Sequence, residues 1–235
     1  MAGLNISNAR TTHNMPPPTI RAVTFDVGGT LIGCWPSVGH IYAEVAARFG
    51  HQGLSPSALN QRFKAAWRAF EKFQYSREDW SALVDATFRG LVEPLPSRTF
   101  FPELFERFAE PDAWRIYPDV FPALEALKAR GLTLGIISNW DERLRPLLRK
   151  LKLDGCFECI VISCEAGSSK PAPELFEAAS AGLGSDARDM LHVGDSPEMD
   201  LQGARAAGLR GLLLRRQTKR CGAGEIRSLS ELDKI

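Results

Sequence analysis

From Arg21 onward the chain alternates between two textures. Short apolar runs rich in β-branched residues occupy 21–26, 132–138, 158–163, 190–195 and 209–214. Runs that are apolar on both faces mark strands buried within a parallel sheet. Amphipathic stretches near residues 119–130, 141–152, 172–183 and 198–207 read as helices. Gly131, Gly184 and Gly208 follow three of them, where a chain leaving a helix favours glycine. The alternation predicts an α/β fold, a doubly wound parallel sheet with right-handed crossovers.

The first run breaks this rhythm. Residues 34–117 carry helical spacing, with Ile41, Val45 and Phe49 as one set and Leu59, Phe63, Ala66 and Phe70 as the next. Trp80, Leu83, Val84 and Leu91 form a third set, and Leu104, Phe105 and Phe108 a fourth. Ser55-Pro56 reads as an N-cap followed by proline in the first turn, and Ser76 with Asp79 as a capping box. The aromatic row Phe63, Trp67, Phe70 and Phe73 is expected to form the core of a small helical bundle; the other reading is a ligand wall. The expected organisation is therefore a discontinuous α/β core (21–33 and 118–235) interrupted by an all-α cap insert (34–117). Residues 1–20 are polar and end near Pro16-Pro17-Pro18, which predicts a disordered tail. A targeting segment is the weaker reading, because Arg10 is the only Lys or Arg there.

The 235 residues suffice for a core without disulfides or a structural metal. Lys and Arg number 29 against 28 Asp and Glu, a net charge of +1, so no basic excess points to a nucleic acid or an anionic membrane. No apolar stretch approaches the ~18 residues of a membrane span. The five cysteines are an odd number with no secretory signal before them, and Cys156-x-x-Cys159 with Cys164 lacks the further ligands of a zinc site. Buried reduced thiols and a cytoplasmic location are expected. The partner left is a small molecule.

In a doubly wound sheet, ligands bind beyond the carboxyl ends of the strands. Those ends carry Asp26-Val27-Gly28-Gly29-Thr30, Ser138-Asn139, Lys170-Pro171 and Gly194-Asp195-Ser196, with Asp200 close behind. Two aspartates sharing a crevice persist as anions only with a cation between them, and oxygen donors select Mg²⁺. A hydroxyl and a lysine beside them suit a phosphate, and Gly28-Gly29 lets backbone amides approach it. Lys170 runs into Pro171 where a phosphate-binding P-loop would carry Ser or Thr. The residues compose a Mg²⁺-assisted phosphate site with an aspartate placed to attack.

At these positions the sequence resembles the haloacid dehalogenase-like hydrolase superfamily. The segments are FDVGGTL (25–31), ISN (137–139), KPAPELF (170–176) and HVGDSPEMDLQGARAAG (192–208), with the insert where that family's first subfamily carries its helical cap. GTLIGCWPSVGHIYAEVAARFG and SNWDERL are similar to the group of rhythmically expressed gene 2-like and domain-containing protein 3-like members. The resemblance implies that Asp26 is a nucleophile forming an aspartyl-phosphate. It implies that Ser138, Asn139 and Lys170 hold phosphoryl oxygens, with Lys170 also paired to Asp26. It further implies that Asp26, the Gly28 carbonyl and Asp195 bind Mg²⁺, with Asp200 supporting the metal shell. Phosphatases of the family usually carry a second Asp where Gly28 stands. The missing acid–base group is worth ~10²–10⁴ in rate, which disfavours alkyl phosphate esters more than acyl phosphates. His40 and Glu44 are candidates to replace it from the insert. A Mg²⁺-dependent phosphohydrolase of a small phosphorylated metabolite leads. A 2-haloacid dehalogenase and a catalytically weak phosphate- and Mg²⁺-binding regulatory protein are the alternatives.

Overall fold

A computed structural model describes residues 19–70, 72–218 and 220–234; the tail expected at the N-terminus falls on residues 1–18, outside those described. The chain opens with β1 (Ala22–Phe25) and β2 (Ile32–Cys34), then α1 (Val38–Arg48), α2 (Pro56–Ala69), α3 (Arg77–Phe88), α4 (Phe101–Arg107) and β3 (Trp114–Ile116). There follow α5 (Val120–Ala129), β4 (Thr133–Ser138), α6 (Leu144–Lys150), β5 (Cys159–Ile162), α7 (Ser163–Ala166) and α8 (Pro173–Leu183). The last elements are β6 (Met190–Gly194), a π-helical turn (Pro197–Gln202) running into α9 (Gly203–Ala206), β7 (Arg210–Leu214) and β8 (Glu225–Ile226).

Six strands form one parallel sheet in the order β5-β4-β1-β6-β7-β8. One face buries Val23, Phe25, Leu134 and Ile136 against Leu124 and Leu127 of α5 and Leu147 of α6. The other buries Ala22, Ile137 and Met190 against Leu175, Phe176 and Ala179 of α8 and Ala204 of α9. Apolar residues on both faces of β1 and β4 are what the sheet's two helical layers require. The register sets Phe25 opposite Ile136 on one side and Val193 on the other. Asp26, Ser138 and Asp195 therefore leave three adjacent strands within two residues of the same level.

Helices α1 to α4 pack around a separate apolar cluster that includes Ile41, Tyr42, Val45, Leu59, Phe88 and Leu104. The Ser55 cap and the Ser76–Asp79 capping box form as the sequence predicts, and Gly131, Gly184 and Gly208 all adopt positive φ. Three expectations need correction. The segment 34–117 is not wholly helical: β2 and β3 pair antiparallel, Ile32 with Ile116 and Cys34 with Trp114, and clasp the insert at its two ends. Three-residue strands are too short to show a period. Phe49 and Leu91 continue the helical spacing past Arg48 and Phe88, where their helices end, and are exposed. The thiols are free but not buried: Cys34, Cys156 and Cys159 are half-buried, Cys164 and Cys221 exposed. Cys159 opens the edge strand β5, so a position that reads as core in one dimension meets solvent at the sheet margin. No helix among the described residues is long and apolar enough to cross a membrane.

Candidate active site

The Asp26 backbone N–H donates to Val193 O at 3.0 Å, anchoring the first residue beyond β1. Lys170, in the turn between α7 and α8, is 3% exposed. Its ammonium donates to Asp26 Oδ1 at 2.8 Å, Ile137 O at 2.9 Å and Asp200 Oδ1 at 2.5 Å, which uses all three protons. Ser138 Oγ donates to the same Asp26 Oδ1 at 3.1 Å. Both donors fall on one oxygen, so Asp26 is held in a fixed orientation and Oδ2 carries no hydrogen bond among the described residues.

Asp200 lies on the π-helical turn, where Leu201 N–H reaches Ser196 O, five residues back. Its Oδ1 also receives His192 Nε2 at 3.1 Å, and Oδ2 receives the Ser196 backbone N–H at 2.9 Å. A Cβ at Gly194 would stand 2.1 Å from Asp200 Cγ, so only glycine admits this packing. Burial holds His192 below the ordinary imidazole range, and Asp200 is ionised, so the neutral ring carries its proton on Nε2. Nδ1 then accepts from Thr24 Oγ1 at 3.0 Å.

The electrostatics follow from three carboxylates facing one ammonium. Burial pushes the Asp26 carboxyl up, Lys170 pulls it down, and the balance lies above the usual carboxylate range. Asp195 opens onto a cavity, yet the surrounding protein, then Asp26 and Asp200, push it up to about 7. Burial also works on Asp200, but Lys170 and His192 outweigh it and hold that carboxyl well below its usual range. Burial alone would lower the Lys170 ammonium; Asp26 and Asp200 reverse this and keep it charged. With all three acids ionised, two negative charges remain unbalanced. Oxygens of Asp26, Asp195 and Asp200 lie within 4.8 Å of one another, a hard-oxygen set that fits a divalent cation. Asp200 is already engaged by Lys170, His192 and Ser196, so Asp26 and Asp195 are the acids left to face one. Gly29 makes room for Asp195: it sits at φ +81°, and a Cβ there would come within 2.3 Å of Asp195 Oδ2.

The structure brings Asp26, Gly28, Ser138, Asn139, Lys170, Asp195 and Asp200 to one cavity of about 770 Å³. The Asn139 side chain has a task of its own. Its Oδ1 accepts from Lys170 N at 2.7 Å and its Nδ2 donates to Lys170 O at 3.0 Å, so the amide clamps the lysine's backbone at the cavity's edge. A Cβ on Gly28 would lie 3.2 Å from Cζ3 of Trp140, whose indole covers the place of a side chain there. His40 and Glu44 do not fill that gap. His40 is exposed with Nδ1 2.8 Å from Ser37 Oγ, Glu44 pairs outward with Arg48 and Arg107, and neither lines the cavity.

The insert instead contributes Tyr75, between α2 and α3, held at φ 63°, a left-handed conformation unusual for a tyrosine. Asn139 Nδ2 approaches its hydroxyl at 3.5 Å, and burial raises its pKa, so the phenol stays protonated. Sequence reasoning also missed the Asp141–Arg143 pair. Arg143 donates to both oxygens of Asp141 at 2.8 and 2.5 Å and to Phe105 O at 2.6 Å, with its guanidinium 3.4 Å from the Phe105 ring centre. This buried pair ties the loop after β4 to α4 of the cap. His192, Asp141 and Arg143 all sit within a few residues of the strand ends that carried the chemistry, which is the signal that could have found them. Tyr75 had none.

The sheet order, the helical insert after the first strand and the Asp–Lys–Asp cluster at the strand ends define a hydrolase of the haloacid dehalogenase-like class. The family model "haloacid dehalogenase-like hydrolase" matches residues 20–208, and the chain belongs to that family. It is 33% identical over 209 residues to haloacid dehalogenase-like hydrolase domain-containing protein 3 of Danio rerio, covering 84% of this chain and 86% of that one. Among solved structures it resembles a HAD phosphatase from Thermococcus onnurineus (26% identity, TM-score 0.65, 92% and 97% of the two chains). It is equally like a 2-haloacid dehalogenase from Pseudomonas syringae pv. Tomato DC3000 (26%, TM-score 0.64, 92% and 97%).

Proposed function

We propose that this hydrolase is a Mg²⁺-dependent phosphohydrolase acting on a small phosphorylated compound through an aspartyl-phosphate. The observation that carries the reading is the posture of Asp26: Oδ1 is pinned by Lys170 and Ser138, Oδ2 carries no hydrogen bond among the described residues, and carboxylate oxygens of Asp26 and Asp195 lie within 4.8 Å of each other. Oδ2 attacks phosphorus, the bond to the leaving oxygen breaks, and water then cleaves the acyl phosphate and restores the carboxylate. Lys170 and Ser138 hold the nucleophile through Oδ1, and the Lys170 charge offsets part of the negative charge that gathers at the phosphoryl group. Mg²⁺ held by Asp26, the Gly28 carbonyl and Asp195 would supply charge neutralisation for the phosphoryl group. Residue 28 supplies no proton to the leaving group and Trp140 stands over its place. The favoured substrates are therefore acyl phosphates and anhydrides, whose leaving groups need little help. Tyr75 brings a protonated hydroxyl from the cap to the same cavity.

The equal likeness to a dehalogenase, together with Gly28, supports a second reading, metal-free displacement of halide by Asp26. One assay separates them. Phosphate release from acetyl phosphate is expected with Mg²⁺ and is abolished by Asp26→Asn. Release that persists in EDTA overturns the phosphohydrolase reading, and chloride release from 2-chloropropionate without metal establishes the other. Silence on both, with retained Mg²⁺ and phosphate binding, assigns the regulatory role.

A further inference from the structure

Of the aromatic row expected in the bundle core, Phe63 does pack against that cluster, but Phe63 and Trp67 also form part of a cavity wall. Phe63 and Trp67 sit one helical turn apart on α2 and line the chamber, as do Tyr75 and Trp80. Trp67 lies 4.8 Å from Phe73, 5.7 Å from Trp80 and 6.0 Å from Phe63 between ring centres, yet it is 36% exposed. Trp140, after β4, and Trp114 of β3 lie 5.2 Å apart and line the same chamber. That chamber is continuous with Asp26, Ser138 and Lys170, so whatever is bonded to a phosphoryl group held there extends between rings. A hydroxyl-rich organic part would give up water for surfaces with few hydrogen-bonding partners, whereas a planar ring loses nothing and gains stacking area.

From this we propose that the enzyme's substrate class is phosphorylated compounds whose organic part is an aromatic ring system seated against Trp67, an inference that rests on the phosphohydrolase reading. The ring need not be a leaving group itself. An aromatic acyl phosphate satisfies both this wall and the bare Gly28.

Two matched pairs test it. Phenylphosphonate and methylphosphonate cannot be hydrolysed, so their binding with Mg²⁺ by calorimetry reads the wall without any chemistry. Phenylphosphonate is expected to bind about tenfold tighter or more, from burial of one ring face and stacking. Trp67→Ala should bring the ratio toward one, and Trp67→Leu, which keeps apolar bulk, should restore part of it. Benzoyl phosphate against acetyl phosphate, compared by kcat/KM, should show the same ratio and the same response. Equal affinity for the two phosphonates, binding of neither, or a ratio indifferent to Trp67 overturns the proposal. Acetyl phosphate turnover by the wild type is scored separately. A chamber without ring preference thus leaves the phosphohydrolase standing, and a phenyl preference in a protein that releases no phosphate strikes only the chemistry.

Discussion

Replacing Lys170 by methionine keeps most of the side-chain volume and deletes a charge that is almost fully buried. Three hydrogen bonds go with it, and Asp26 Oδ1 and Asp200 Oδ1 lose their shared cation. Removing one partner of a buried pair costs about 3–5 kcal/mol, because the charge left behind has paid its desolvation without return. At an assumed urea slope of about 3 kcal/mol/M, the unfolding midpoint should fall by about 1–1.7 M. The measurement is equilibrium urea denaturation in EDTA at pH 7, so that lost metal affinity does not enter. The double variant Lys170→Met/Asp200→Asn supplies the control, since it also removes one of the stranded charges. It should be more stable than Lys170→Met alone, although Asp200→Asn by itself destabilises by breaking the contacts to His192 and Ser196. A coupling of about 1–3 kcal/mol is expected between the two sites. An unchanged midpoint for Lys170→Met, or strict additivity in the cycle, refutes the account of Lys170 as the cation that keeps two acids ionised.

Three further outcomes follow from the geometry. Gly28→Asp should raise alkyl phosphate ester hydrolysis little on its own, because its Cβ meets Trp140 at 3.2 Å; Gly28→Asp/Trp140→Leu should raise it toward the ~10²–10⁴ of a general acid, read by steady-state kinetics. Gly29→Ala puts a methyl group within 2.3 Å of Asp195 Oδ2 at a left-handed φ, and Mg²⁺ affinity by calorimetry should drop about 10–100-fold while the fold persists. Away from the site, burial raises Asp119, but hydrogen bonds from Arg216, Ser228 and the Leu229 N–H to its Oδ2 hold it below its usual range. Its stabilisation is present above the unfolded pKa of about 3.9 and is lost as pH falls through the lower folded value. Asp119→Asn should therefore cost about 1.5–3 kcal/mol from pH 5 to 8, with the gap to wild type closing below pH 4 in urea titrations.

The chemistry was readable because it sits where a parallel sheet must put it. Each strand of the centre is mainly apolar, with Thr24 and His192 as buried exceptions, and Asp26, Ser138 and Asp195 stand at or just past the strand ends. The cap was less readable, since helical spacing shows that a face is apolar without showing what it meets. On α2 the turn carrying Leu59 takes the bundle core, where Gly39 of α1 comes so near that a Cβ would lie 2.0 Å from Pro56 O. One and two turns on, Phe63 and Trp67 face the cavity. Tyr75 and the Asn139 clamp depend on how a loop and a turn meet across 64 and 31 residues of chain, and no local pattern records that. Cys159 was misplaced for a related reason, as strand composition does not distinguish an edge strand from a central one.

Strand β1 carries a consequence for how the polypeptide is born. It is hydrogen-bonded on both sides, yet its partners begin at Thr133 and Met190, far downstream on a ribosome-borne chain. The helical insert meets its own contacts almost at once, between neighbours in sequence, and local contacts form fast. The cap can thus consolidate while Ala22–Phe25 waits unpaired, and the sheet closes around that strand only after most of the chain has emerged. Asp26 follows the first of the described elements, so the half-synthesised protein holds it with neither Lys170 to orient it nor Asp195 beside it. Hydrolytic competence is withheld until assembly is nearly finished.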